Sequence, residues 1–319
     1  MSCKNDLIRT VKSILFLAYI LSALGCVEYA HTPKRMQGKN IQTVEPLMSI
    51  AATPFPTTRA PLIQNENYAL DTIEFEAFAA RLWRPKGAGP HPAVLLLPGI
   101  WGDRIMVEFA EDLVSKGYVC LQLGSHRYLE RLRSKGKMST EVLAEMIKQQ
   151  VVETGEAFHW LSTQPEIDAE RIGILGVSIG AIIATLFSET DGNIKAASYL
   201  LGGGNLPDIM AAPKGYVKRR LRNRIMTENG LTEEEFKSEV IRTLQPVDPL
   251  NFTGRIDPAR ILMVNGRFDQ VIPYRNAKEL WKALGEPTLV VLPAGHYTAS
   301  FFMPYVRYKV AKHFEKFLG

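Results

Sequence analysis

Residues 173–181 read GILGVSIGA, with one serine, Ser178, set between Gly176 and Gly180. A core position at this point would call for bulk, and an ordinary turn would call for Asn, Asp or Pro. A small polar residue between two glycines fits neither. It does fit a strand, Arg171–Val177, that turns at once into a helix beginning at Ile179. In a turn that tight the serine backbone is strained, and the residues two places away on either side must be small to avoid colliding. The hydroxyl is lifted clear of the strand, and the first amides of the helix point towards any anion that forms beside it.

The surroundings of that turn repeat its logic. "HPAVLLLP" (91–98), "YVCLQL" (118–123), "AASYLL" (196–201), "ARILMVNG" (259–266) and "TLVVLP" (288–293) are short continuous apolar runs, as expected of strands buried on both faces. "TIEFEAFAARLWRP" (72–85) reads as two antiparallel strands or one bent strand. Helical spacing appears in "MVEFAEDLVSKG" (106–117), in Leu143, Ile147, Val151, Phe158 and Leu161, from about Tyr274 to Leu284, and in the closing "YVRYKVAKHFEKFL". Strands alternating with helices predict an α/β fold with a mainly parallel sheet flanked by helices.

One segment breaks the alternation. Residues 205–249, after the sixth predicted strand, carry Lys214, Lys218, Arg219, Arg220, Arg222 and Arg224, then Glu233, Glu234, Glu235 and Glu239. Thr232 and Glu235 are spaced as a capping box, with Leu231 and Phe236 placed for a hydrophobic staple. The pattern predicts a small helical insertion of two helices paired by opposite charge. It is either a solvated hairpin or a lid that steers anionic substrates.

The 319-residue chain is 46% hydrophobic and 22% charged, with a net charge of +5, too mild to point to nucleic acid. Its start differs from the rest. Lys4, Arg9 and Lys12 precede the uncharged stretch 13–25, and Cys26 follows. That is the layout of a signal peptide, and the apolar stretch is short for a membrane span. "SALGC" (22–26) resembles the lipobox of bacterial lipoproteins, which implies cleavage before Cys26, lipidation of that cysteine, and a periplasmic or outer-membrane lipoprotein. A plainly secreted protein and an uncleaved anchor are the alternatives. Residues 1–25 are then the signal and 26–66, rich in Pro, Thr, Gln and Asn, a tether. Residues 67–319 form the folded domain. Of the three cysteines, only Cys120, in a predicted buried strand, lies within that domain.

A serine hydroxyl needs a base to become a nucleophile. Of the six histidines, His296 follows the last strand in "LVVLPAGHY" and is the best placed; His126, after "YVCLQL", is at the same edge and is expected to line the site. Asp269, after "ILMVNG", is the expected orienting acid, with Asp208 as the fallback. The order Ser178, Asp269, His296 suits an α/β sheet with its nucleophile at a strand–helix turn. Two backbone amides are needed for the oxyanion: that of Ile179, and one from "LLLPGIWG", with Ile100 first and Trp101 second. Trp101, Tyr128, Tyr297 and Phe301 crowd the same edge and suggest an apolar pocket.

These residues together resemble the α/β-hydrolase superfamily from about Tyr68 onward. Within it, "HPAVLLLPGIWG" (91–102), "LVSKGYVCLQL" (113–123) and "RIGILGVSIGA" (171–181) look like the dienelactone hydrolase branch. That branch carries a cysteine nucleophile where this chain has Ser178, and its insertion is smaller, which favours carboxylic esters over lactones. The resemblance implies a serine carboxylesterase acting on a small-molecule ester through an acyl-enzyme. Acyl transfer or peptide hydrolysis by the same residues, or a non-catalytic binding protein, are the alternatives. No cofactor or metal is expected: there is no H-E-x-x-H, no Cys or His cluster, and no phosphate or dinucleotide loop. The sequence leaves the oligomeric state open.

Overall fold

The structure is a computed structural model, and it describes residues 25–29, 58–100, 103–125, 136–191, 193–212 and 214–319. The described strands are β1 (Val27–Tyr29), β2 (Thr58–Gln64), β3 (Tyr68–Glu74), β4 (Ala79–Pro85), β5 (His91–Leu97), β6 (Val119–Leu123), β7 (Ile167–Val177), β8 (Ala196–Leu200), β9 (Ile261–Gly266) and β10 (Thr288–Leu292). They form one sheet in the order β1-β10-β9-β8-β7-β5-β6-β4-β3-β2. From β10 to β6 every pairing is parallel. The flanking strands β4, β3 and β2 on one side, and β1 on the other, are antiparallel.

The central strands are apolar throughout because both faces are covered. In β5, Ala93, Leu95 and Leu97 feed one core while Val94 and Leu96 feed the other; in β9, Ile261 and Met263 alternate in the same way with Leu262 and Val264. Helices α1 (Asp103–Val114) and α8 (Met303–Leu318) cover the second of these faces. Helices α2 (Thr140–Ser162), α3 (Ile179–Thr190) and α7 (Tyr274–Ala283) cover the first. Ser139 caps α2 by accepting from the Val142 amide, and Ile147, Val151, Phe158 and Leu161 are its buried stripe.

The structure corrects the expected tether at both ends. Val27–Tyr29 extends the sheet beside β10, and Thr58–Gln64 pairs with β3, so the fold begins before residue 67. Strand β2 is exposed along its whole length and contains Pro61, where its register with β3 shifts. An edge strand with a bulge and a proline leaves no alternation of apolar residues to read. Arg59 holds it in place, at 2.7 Å from the buried Asp71 and 2.8 Å from Glu166. The remainder of the expected tether and nearly all of the expected signal lie outside the described residues.

Among the described residues the insertion contains three α-helices, α4 (Leu206–Ala211), α5 (Tyr216–Asn229) and α6 (Glu233–Leu244), where two were expected. The short α4 was hidden by Pro207, which sits in its first turn, and by Asn205, which caps it from a left-handed conformation. The Thr232–Glu235 capping box is present. One ion pair of opposite helices, Arg222 with Glu233, joins α5 to α6. The root of the insertion is fixed by the buried Asp248, whose carboxylate accepts from the amides of Asn205, Leu206 and Leu250.

Glu189, near the end of α3, is also buried and accepts from the Arg255 amide at 2.7 Å. Burial pushes its carboxyl up to about 7, against the opposing effect of backbone amides that favour the charged form. A carboxyl raised in the folded state adds stability below its unfolded value and loses it as pH rises through the folded value. Wild-type protein should therefore lose on the order of 3 kcal/mol relative to Glu189→Gln between about pH 4.5 and pH 7. Urea denaturation of both chains across that window measures the difference; parallel curves would remove Glu189 as the source.

Candidate active site

The strand–helix turn after β7 is built as the glycines require. Ser178 has φ 58° and ψ −121°, a conformation that costs energy in any residue but glycine. A Cβ on Gly176 would lie 2.2 Å from the Gly180 carbonyl oxygen, and one on Gly180 would lie 2.2 Å from the Leu97 oxygen. Each glycine is there because backbone passes where a side chain would be. The Ser178 amide donates to the Leu200 carbonyl at 2.8 Å, fastening the turn to β8.

The loop after β9 brings in Asp269 and the loop after β10 brings in His296. Nδ1 of His296 is 2.7 Å from Oδ2 of Asp269, and Nε2 is 2.9 Å from Oγ of Ser178. The other oxygen of Asp269 accepts from the amides of Val271 and Ile272, at 2.8 and 2.9 Å. Asp269 thus closes its own loop and still presents one oxygen to the histidine. The fallback, Asp208, is taken up elsewhere, by Arg275 and by the Asn276 amide group.

Ile179 is the first residue of α3, so its amide has no partner within the helix. The segment carrying Ile100 passes close by: a Cβ on Gly99 would lie 3.2 Å from Cβ of Ser178. Both isoleucines line a cavity of about 460 Å³ that opens on Ser178 and His296. One wall is Leu143, Met146 and Ile147 of α2 with Ile209, Val217 and Leu221 of the insertion. The other, across the sheet edge, is Ile105 of α1 with Met303 and Val306 of α8. The cavity therefore straddles the carboxyl edge of the sheet, with Ser178 between its two sides.

Tyr297 lines the cavity as expected from the sequence. Phe301 does not: it is 79% exposed, a correction to the expected pocket. It lies in the 3-10 turn Thr298–Phe302, whose three-residue period sends Ala299 and Phe302 inward and Thr298 and Phe301 out. Trp101, His126 and Tyr128 lie outside the described residues. Among those residues no cluster of three or more His, Cys, Asp or Glu could hold a metal. Cys120 is fully buried, and burial pushes its thiol well up.

Sequence reasoning missed the apolar wall supplied by the insertion. Val217, Leu221 and Ile225 recur at helical spacing, but inside a run dominated by cations. It also missed Lys218. This lysine is buried in the cavity wall and donates to the carbonyls of Val271 (3.1 Å) and Gln270 (3.5 Å), next to Asp269. Burial brings its ammonium down to about 8, partly offset by Asp269 and Asp208.

The sheet order, the turn at Ser178 and the three residues gathered there define an α/β hydrolase. Comparisons with known proteins agree. The model of the dienelactone hydrolase family matches residues 78–218, and that of the BAAT / acyl-CoA thioester hydrolase C-terminal family matches residues 155–319. The second match covers more than half of the chain, which belongs to that family. The mitochondrial acyl-coenzyme A thioesterase 2 of Mus musculus is 25% identical over 243 residues, covering 70% of this chain and 49% of its own. A protein from Bradyrhizobium sp. named a probable 2-oxo-3-(5-oxofuran-2-ylidene)propanoate lactonase is 27% identical over 132 residues, 39% of this chain and 53% of that one. The chain spans about half the length of these relatives. Among solved structures, the acetyl xylan esterase from Paenibacillus sp. R4 has a TM-score of 0.67 at 17% identity, covering 83% of this chain and 90% of that one. Acetyl xylan esterase 1 from Thermoanaerobacterium sp. JW/SL YS485 gives 0.66 at 15%, covering 89% and 96%.

The contacts at Gly180 are with backbone that cannot swing aside. Gly180→Ala should therefore cost about 1–3 kcal/mol, seen as a drop of several degrees in Tm. An unchanged melting curve would mean that the turn after β7 is looser than described.

Proposed function

We propose that this chain is a serine hydrolase of carboxylic esters with apolar acyl groups. The observation that carries the reading is the continuous line from Asp269 through His296 to Ser178, set at a strained turn under an apolar cavity. In this reading Oγ of Ser178 attacks the ester carbonyl while Nε2 of His296 takes its proton. Asp269 accepts from Nδ1–H, which fixes the ring and stabilises its charged form. The amides of Ile179 and Ile100 bind the oxyanion of the tetrahedral intermediate. His296 then returns the proton to the leaving alcohol, and an acyl-enzyme remains. Water attacks it with the same histidine as base, releasing the acid and restoring the serine.

A cavity of this size is within the range of small-molecule sites. Its almost wholly apolar walls favour acyl chains of medium length over acetate. The family and the mouse relative favour thioesters as a second substrate class, since the same residues would act on a thioester carbonyl. A panel of p-nitrophenyl esters from acetate to palmitate, run beside acyl-coenzyme A thioesters of matching length, separates the two. Ser178→Ala should lower kcat for the best substrate by about 10⁶, and Asp269→Asn by roughly 10⁴. Near wild-type turnover by Ser178→Ala would end the serine reading.

We also propose export, with lipid attached at Cys26. The basic start, the uncharged stretch 13–25 and the cysteine that follows support it. Mass spectrometry of the mature N-terminus should find an acylated Cys26; an unmodified terminus at another residue would refute this and leave the chemistry untouched.

A further inference from the structure

Helix α5 has two distinct faces. Val217, Lys218, Leu221, Arg222 and Ile225 turn inward, while Tyr216, Arg219 and Arg220 are exposed together one turn apart. Lys214, just before the helix, is exposed as well. Among the described residues, Lys214, Arg219 and Arg220 form no ion pair, unlike Arg222 and Arg224 of the same helix. The start of α5 abuts the loop after β9: a Cβ on Gly215 would lie 3.4 Å from the Gln270 carbonyl oxygen. That loop exposes Arg267 and Phe268, and the Phe268 amide bonds to the Ala294 carbonyl in the loop after β10. The same loop continues to Tyr297 and Phe301. Four aromatic side chains on these touching loops are more than half exposed: Tyr216 67%, Phe268 66%, Tyr297 56% and Phe301 79%. Of these, Tyr297 also lines the apolar cavity, and Tyr216 is followed in the chain by the lining residue Val217.

The start of the described chain reaches the same edge. Because β1 runs antiparallel to β10, Val27 pairs with Val291, and Gly25 packs on Pro293, one residue from Ala294. Cys26 therefore sits at the carboxyl edge of the sheet, beside the loop that carries His296.

We infer that this edge is a docking face for an anionic lipid surface, with the cavity mouth turned to the bilayer. Exposed aromatic rings suit the interfacial zone of a membrane, and unpaired arginines and lysines suit its anionic headgroups. Tyr297 belongs both to this patch and to the cavity wall, so acyl chains held in a bilayer would reach the cavity without crossing water, an advantage that a soluble partner does not need. The inference is independent of the chemistry at Ser178. Only the position of the anchor rests on the proposal for Cys26.

The test uses the full chain carrying Cys26→Ser, so that no acyl group at that position supplies the binding. Its affinity for phosphatidylcholine vesicles is compared with that for vesicles containing phosphatidylglycerol. Binding should be tighter to the anionic vesicles and should weaken with salt. Arg219→Gln with Arg220→Gln should weaken it about thirtyfold while leaving hydrolysis of a short soluble ester unchanged, which also shows that the variant is folded. Orientation is read by quenching from brominated phospholipid. The added emission of Phe301→Trp should be quenched, and that of Glu170→Trp, on the amino-terminal half of β7, should not. Ser178→Ala should dock as well as its parent. Equal binding to both vesicles, or quenching at Glu170→Trp as strong as at Phe301→Trp, would overturn the inference. So would an arginine variant that raises KM for an acyl-coenzyme A without altering vesicle binding, since the cations would then serve a soluble substrate.

Discussion

Everything at the carboxyl edge of this sheet depends on how closely α3 approaches β5. The helix enters so near that Gly180 faces the Leu97 and Pro98 carbonyl oxygens at distances no side chain tolerates. This closeness drives Ser178 into its strained backbone angles and brings the Gly99 segment against its side chain. The strain is opposed from the other side by the bond from the Ser178 amide to Leu200. With the serine fixed between two strands, the loops after β9 and β10 need only reach inward by a few residues. A looser turn would leave the hydroxyl to choose among rotamers, and the histidine would have no fixed partner.

The insertion shows how one stretch of charge can carry several unlike functions. Read along the chain, residues 214–224 form a single basic run. Folded, they separate by helical phase. Arg222 goes inward to Glu233 and stacks over Phe236, with its guanidinium carbon 5.3 Å from the ring centroid. Lys218 goes inward to backbone carbonyls, while Arg219 and Arg220 remain in solvent. Burying two cations is tolerable because each finds acceptors, and their apolar stems cover the core beneath.

The sequence made legible what is repeated or locally forced. Continuous apolar runs marked the central strands, and the glycines around Ser178 marked the turn, because steric exclusion acts between residues close in sequence. Asp269 and His296 could be named because each follows a strand whose direction is fixed by the parallel sheet. The edges of the sheet were not legible. Strand β2 buries none of its side chains, and β1 is three residues long, so neither has a pattern to detect. The direction of Phe301 was misread because a single 3-10 turn sets it, and the cavity wall on α5 was masked by the cations around it. What failed were features determined by tertiary contact or by a phase of one residue.

The bonds from Lys218 to Gln270 and Val271 join two parts of the molecule that otherwise have separate tasks. The lysine belongs to the roof of the cavity; the carbonyls belong to the loop that closes on Asp269 and through it holds His296. A roof helix swinging outward must either break these bonds or pull the loop with it. In the first case two carbonyls and an ammonium lose their partners, and in the second the aspartate shifts away from the imidazole. Moving α5 is therefore opposed either by unpaired groups around Lys218 or by strain on the contact between Asp269 and His296.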